Sequence, residues 1–333
     1  MNMKRTLLLL ICLLSTTLVV FSKKQKNRPF TPEEVLTHLQ SPEKKKVIID
    51  TDTYNEMDDQ YALAYAFGSD KMEILALYAA PFHNDRSSSF GDGMEKSYRE
   101  IERIMDISGK TGKYPVFRGA TERMSDNPDN YNAKNPAAEH LVKLARKAKD
   151  PIYVLALGAI TNVASALTID PSIKEKIVVI WLGLHCIELN NMGEFNLDQD
   201  YRAGQVVMNS GVPFIVLPAA GTEGKGTGVL FVNQNDVKRS IKGDGRAAVF
   251  FRSKFPEEFF GSDAFWARVF WDLAAPGLIA NPTAYKFNII PAPVLTDSRE
   301  FAFDSSRHKI IFMERLNPDV VKADAFKSIS SLP

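Results

Sequence analysis

Cysteine is nearly absent from the 333-residue chain, which holds only Cys12 and Cys186. Removal of a leader carrying Cys12 would leave one thiol and exclude an intramolecular disulfide. Cys186 then reads as inert packing. His83 and His185 lack metal-type histidine spacing and read as ordinary polar residues. A charge imbalance is missing as well. The 41 basic and 40 acidic side chains nearly cancel, so overall charge does not point to nucleic acid, and a small, neutral or weakly charged ligand is expected. No internal repeat or low-complexity linker interrupts the chain. Its 45% apolar content is enough to fill a substantial core.

The first 22 residues differ from the rest. Lys4 and Arg5 precede a mostly apolar run from Leu7 to Phe21 without an acidic residue, the layout of an export signal. At about 15 residues this run is short of the roughly 20 that span a bilayer. The first reading is a signal cleaved near Ser22, with the protein exported to the periplasm or the exterior. The second is an uncleaved membrane anchor, because Lys23, Lys24, Lys26 and Arg28 follow at once and positive charge hinders translocation. Residues 23–45 are expected to be a linker and leading segment, and residues 46–333 one catalytic domain.

From Val47 onward, short apolar runs alternate with amphipathic stretches, the pattern of an α/β fold with a mostly parallel open sheet flanked by helices. Val47–Asp50 is predicted as a strand, Asp58–Phe67 as a helix and Met72–Ala80 as the next strand, making one βαβ unit. Further strands are expected at Ile152–Leu157, Ile177–Leu182 and Phe214–Pro218, with a helix over Asn162–Leu167. Phe82–Gly93 and Gly221–Gly228 are expected to be loops at the sheet edge.

The densest chemistry lies in Asp50-Thr51-Asp52-Thr53-Tyr54-Asn55-Glu56-Met57-Asp58-Asp59, which sets four aspartates across a strand end and a helix start. Ligands in open α/β sheets bind at the carboxyl ends of strands. Helix capping is the plain explanation for Asp58 and Asp59. It does not account for Asp50 and Asp52, since gathered carboxylates repel one another unless a cation neutralises them. An oxygen-only donor set suits Ca²⁺ or Mg²⁺ rather than zinc.

This stretch resembles the DTDxxxDD-like hallmark of the inosine-uridine nucleoside hydrolase family, with a longer spacer from Thr53 to Met57. The likeness continues in family order. Ala156-Leu157-Gly158-Ala159-Ile160-Thr161-Asn162 is similar to the family's "GPLTN" turn. Glu194-Phe195-Asn196 with Asp200 is similar to "EFN…D", and Trp271-Asp272-Leu273-Ala274 to "HDPLA". The resemblance implies a Rossmann-like nucleoside hydrolase core and calcium-dependent hydrolysis of ribonucleosides to ribose and free base, in nucleoside salvage. By position it implies a Ca²⁺ held by Asp52, Asp59, Asp272 and the Leu157 carbonyl, with Asp52 also the general base toward water. Asp58 and Asn84 would bind the ribose, as would Glu194, Asn196 and, more weakly, Asn191, while Trp271 would face the base and Asp50 would support the loop from behind. It also allows a homo-oligomer.

Taken singly, several of these residues have plainer explanations. Glu194 and Asn196 alone would be solvated loop residues, Gly158 a simple turn, and Trp271 a core aromatic. The main departure is Trp271, which stands where the family motif has histidine and which cannot usefully donate a proton to a leaving base. Another group such as His83, base stacking on Trp271, or a leaving group needing little help would have to compensate. Two other functions therefore stay open: hydrolysis of a different N-riboside, and calcium-dependent nucleoside binding without catalysis.

Overall fold

The computed structural model describes residues 28–189, 193–261 and 264–333. The leader and Asn191 lie outside the described residues. Among the described residues, no helix is long and apolar enough to cross a membrane. Within the leading segment, Pro32–Gln40 form helix α1, whose N-terminus is closed by a Thr31–Glu34 capping box. Val35 and Leu39 anchor this helix on the core.

In chain order the strands are β1 (Lys45–Thr51), β2 (Met72–Ala79), β3 (Val116–Arg118), β4 (Ile152–Ala156), β5 (Ile177–Leu182), β6 (Phe214–Leu217), β7 (Phe231–Asn233), β8 (Ala267–Val269), β9 (Tyr285–Pro291), β10 (Val294–Leu295), β11 (Phe301–Ala302) and β12 (Lys309–Leu316). Eight of them form one sheet in the order β3-β2-β1-β4-β5-β6-β12-β9. Every pairing is parallel except that of β12 with β9. The strand order turns back at β1, which has β2 on one side and β4 on the other. That is a topological switch point, and the carboxyl ends of β1 and β4 flank its crevice.

The central strands are apolar on both faces because helices cover both. Their side chains alternate between two cores: Val47 and Ile49 join one, Ile48 the other. Helix α2 (Asp58–Gly68) follows β1 and is buried from Asp58 through Phe67. Tyr61 locks it in place, donating its hydroxyl to the Phe251 carbonyl at 2.6 Å and packing on Phe251, Phe255 and Phe270. Phe82–Gly93 is not a loop throughout. Helix α3 (Phe90–Ile107) begins inside it, capped by the Ser89 hydroxyl, which accepts from the Asp92 N–H. Phe90 and Met94 bury on the core side, and this amphipathic spacing outweighs the local Ser and Gly content. Helix α4 (Pro136–Lys147) precedes β4, and α5 (Thr161–Ile169) follows it.

Candidate active site

The site starts at the end of β1. Asp50 lies within the strand, and its Oδ1 accepts from Asn162 Nδ2 at 2.8 Å, while its Oδ2 is buried without a partner. Burial pushes this carboxyl up to about 7, opposed by the Asn162 hydrogen bond. Asn162, on the first turn of α5, thus ties the β4–α5 turn to β1. Asn162 closes the Ala156–Asn162 motif, but nothing in that spacing marks its tie to β1.

Asp52, Asp58, Asp59 and Asp272 meet over the switch point, each no more than 4% exposed. Asp58 and Asp59 open α2, and Asp272 sits in the turn Trp271–Leu273 that leads into the helix Ala274–Ala280. Carboxylate oxygens of Asp58, Asp59 and Asp272 lie within 4.8 Å of one another. The tightest trio therefore contains Asp58, whereas the motif-based ligand set names Asp52. Asp52 belongs to the same electrostatic group. Burial first, and then the charges of Asp59 and Asp58, hold its carboxyl well above the ordinary range. Burial and the neighbouring aspartates raise Asp58 and Asp272 likewise. Asp59 is lifted by burial to about 7, moderated by the Thr51 hydroxyl that donates to it.

Helix capping does not exhaust these aspartates. Asp58 Oδ2 accepts from the Asp272 N–H at 3.2 Å, joining the two ends of the cluster. Asp52 Oδ2 and Asp272 Oδ1 are buried with no hydrogen-bond partner. Orphaned, mutually repelling buried oxygens are costly unless a cation meets them. The donor chemistry, the burial and the unspent oxygens fit a hard divalent ion.

Gly158 makes room for this arrangement. A Cβ there would stand 2.8 Å from the Asp52 carboxylate carbon, so the turn after β4 needs glycine for close approach. Just before it, the Leu157 carbonyl accepts from Asn196 Nδ2 at 2.9 Å, leaving a second lone pair. The same amide group donates to the Leu182 carbonyl at 3.0 Å and so bridges the ends of β4 and β5. Glu194 caps the short helix Phe195–Gln199. Its carboxylate accepts from the N–H groups of Leu184, Asn196 and Leu197. Burial nevertheless pushes its carboxyl up to about 7. Asp200 is structural, caps the helix Tyr201–Asn209 and accepts from the Thr161 hydroxyl at 2.8 Å.

Asp52, Asp58, Asp59, Leu157, Glu194, Asn196, Trp271 and Asp272 line one open cleft. Asn84 lines a neighbouring cleft instead, although the two share Asn55 and Glu56 as a common wall. His83 lines neither cleft. His185, expected to be an ordinary polar residue, lines the first, and its Nδ1 accepts from the Ala220 N–H at 3.3 Å. No spacing signal marked it. Asn55 was hidden for a different reason, because a spacer has no periodicity to place its side chains.

A family model described as inosine-uridine preferring nucleoside hydrolase matches residues 47–287. The pyrimidine-specific ribonucleoside hydrolase RihA of Escherichia coli is 25% identical over 182 residues, 48% of this chain and 56% of that protein. The chain thus spans little more than half the length of the curated relative it matches. Among solved structures, a plant nucleoside hydrolase superposes with a TM-score of 0.64 at 17% identity, covering 86% of this chain and 99% of the other. A purine-preferring ribonucleoside hydrolase from Gardnerella vaginalis gives 0.63 at 17%, with coverage of 86% and 99%. At such identities these structures support the α/β fold alone. Since the family model covers well over half of the chain and includes every aspartate of the cluster, this protein belongs to the inosine-uridine preferring nucleoside hydrolase family.

Proposed function

We propose that the chain hydrolyses the N-glycosidic bond of ribonucleosides to ribose and free base, with calcium held by Asp52, Asp59, Asp272 and the Leu157 carbonyl. The buried aspartate cluster at the switch point, with its orphaned oxygens on Asp52 and Asp272, carries this reading. When bound, the cation would offset the clustered charge and lower the pKa of water at the site.

The chain's own residues supply the rest. Breaking the C1′–N bond builds positive charge on the ribosyl ring, and fixed carboxylates beside it stabilise that charge. Asp52 takes a proton from the attacking water, as the carboxylate base of an inverting glycosidase does, so no covalent ribosyl-enzyme forms and C1′ inverts. Asp58, which borders the cleft, binds ribose hydroxyls. Glu194 and Asn196, which line the same cleft, bind the sugar, and their hydrogen bonds to backbone groups hold them rigid. A rigid donor–acceptor frame positions the sugar at little entropic cost. The apolar leader supports action on nucleosides outside the cytoplasm, in salvage.

Trp271 in place of an imidazole favours a second reading, calcium-dependent nucleoside binding without turnover. One assay separates the two. Ribose release from inosine, uridine, adenosine and a nitrophenyl riboside is measured with added calcium and with a chelator. Calcium-dependent release supports hydrolysis, whereas calcium-dependent nucleoside affinity without release supports binding alone.

A further inference from the structure

The neighbouring cleft carries chemistry that the aspartate cluster does not use. Arg86 lies there, with its guanidinium carbon 4.7 Å from the ring centroids of both Tyr54 and Phe259. Two aromatic faces fix the plane of the guanidinium and leave its N–H edge to bind elsewhere. Its Nε is buried and has no hydrogen-bond partner. Glu56 and Asp85 line the same cleft, yet neither forms an ion pair with Arg86 among the described residues. The backbone around it is pinned: the Arg86 N–H donates to Asn84 Oδ1 at 2.9 Å, and Asn84 Nδ2 donates to Asn55 Oδ1 at 2.7 Å. Asn55 and Glu56 also wall the cleft of the aspartates, so the two spaces adjoin.

We propose that this second cleft is the leaving-group subsite and that Arg86 binds a carbonyl oxygen of the departing base, which makes uracil-like bases, rich in acceptor oxygens, the preferred leaving groups. The proposal rests on the hydrolase reading and deepens it. With ribose over the carboxylates, the base reaches past Asn55 and Glu56 toward Arg86. As the C1′–N bond breaks, its electron pair goes to the base and delocalises onto the carbonyl oxygen that faces the guanidinium. The oxygen of water bonds to C1′, one water proton goes to Asp52, and the released base anion takes a proton from solvent. A planar, permanently charged donor stabilises that anion without giving up a proton. Trp271 therefore need not be an acid. Adenine carries no carbonyl and gains nothing from Arg86.

The test uses the calcium-loaded chain and two separate probes, uracil and ribose, with affinities measured by calorimetry. Arg86→Gln is expected to weaken uracil binding about 10- to 100-fold and to lower the uridine-to-adenosine ratio of kcat/KM by a similar factor, with ribose affinity retained. Arg86→Lys, which keeps the charge and loses the planar fork, is expected to fall between the two. Equal uracil affinity in the parent and Arg86→Gln proteins overturns the proposal. So does a parallel fall in uracil and ribose affinity, which would mark Arg86 as a support for the loop. Uracil binding through Arg86 without turnover of any riboside would sink the hydrolase reading and leave the subsite standing.

Discussion

Asn84 Nδ2 donates to Asn55 Oδ1 at 2.7 Å, and the Asn55 N–H in turn donates to the Asp52 carbonyl at 2.7 Å. This chain of bonds ties the loop after β2 to the loop that carries the aspartates. It gives the long spacer a physical role, because Asn55 and Glu56 within it line both clefts. Asn84→Ala is expected to cost about 0.5–1.5 kcal/mol of stability and to raise KM for nucleosides more than it lowers kcat. Urea unfolding and steady-state kinetics on the same preparation check both halves.

Gly158→Ala places a Cβ 2.8 Å from the Asp52 carboxylate carbon, and the turn has little room to yield. Calcium affinity should fall about tenfold or more, with a stability loss of about 1–3 kcal/mol from overpacking. Calorimetric titration beside a thermal melt reads both. Unchanged calcium affinity would separate Asp52 from the cation.

Clustered charge makes the next prediction change sign with conditions. Burial first, and then the charges of Asp59, Asp58 and Asp52, raise the Asp272 carboxyl. At pH 7.5 in chelator, Asp272→Asn removes one repelling carboxylate and should raise the melting temperature. In calcium the same variant should lack most of the parent's ligand-induced stabilisation. A variant less stable than the parent in chelator would show that repulsion does not dominate the cation-free cluster.

The pH dependence follows from the raised carboxyls. Asp50, Asp59 and Glu194 are each lifted to about 7 in the folded protein from ordinary values near 4. The folded state then holds protons that the unfolded chain has released, so stability is greatest below pH 4 to 4.5 for these groups and is lost as pH rises toward 7. In chelator, unfolding free energy should decline between about pH 4.5 and pH 7 on this account. Calcium, which needs deprotonated ligands, should restore more stability at pH 7.5 than at pH 5. Denaturation curves at several pH values, with and without calcium, measure this directly.

Much of this was legible in the sequence, for reasons that particular residues show. Val47 to Asp50 is a short continuous apolar run ending in aspartate, and α2 is apolar along most of its length, so the first βαβ unit was readable and its ends fall within a few residues of the structure. The aspartate cluster was readable because four aspartates in ten residues have few other uses. Partner choice was less accessible. That Asp58 rather than Asp52 joins the tightest oxygen trio depends on side-chain direction, which spacing does not encode. Asn84 was expected at the sugar, and the structure places it on Asn55 in the adjoining cleft. The start of α3 was masked by Ser87, Ser88, Ser89 and Gly91, whose local preference for turns gave way to the burial of Phe90 and Met94. His185 and Arg86 carried no motif at all, and only the tertiary fold brings them to the cleft walls.

Calcium-dependent hydrolysis is tested by a calcium titration of chelator-treated protein, following ion binding by calorimetry and ribose release from uridine and inosine in parallel. One calcium is expected per chain, with turnover rising in proportion to occupancy, and both are expected to be lost in Asp272→Ala. Turnover that persists in chelator, or one-to-one binding with no ribose released from any nucleoside, would contradict it.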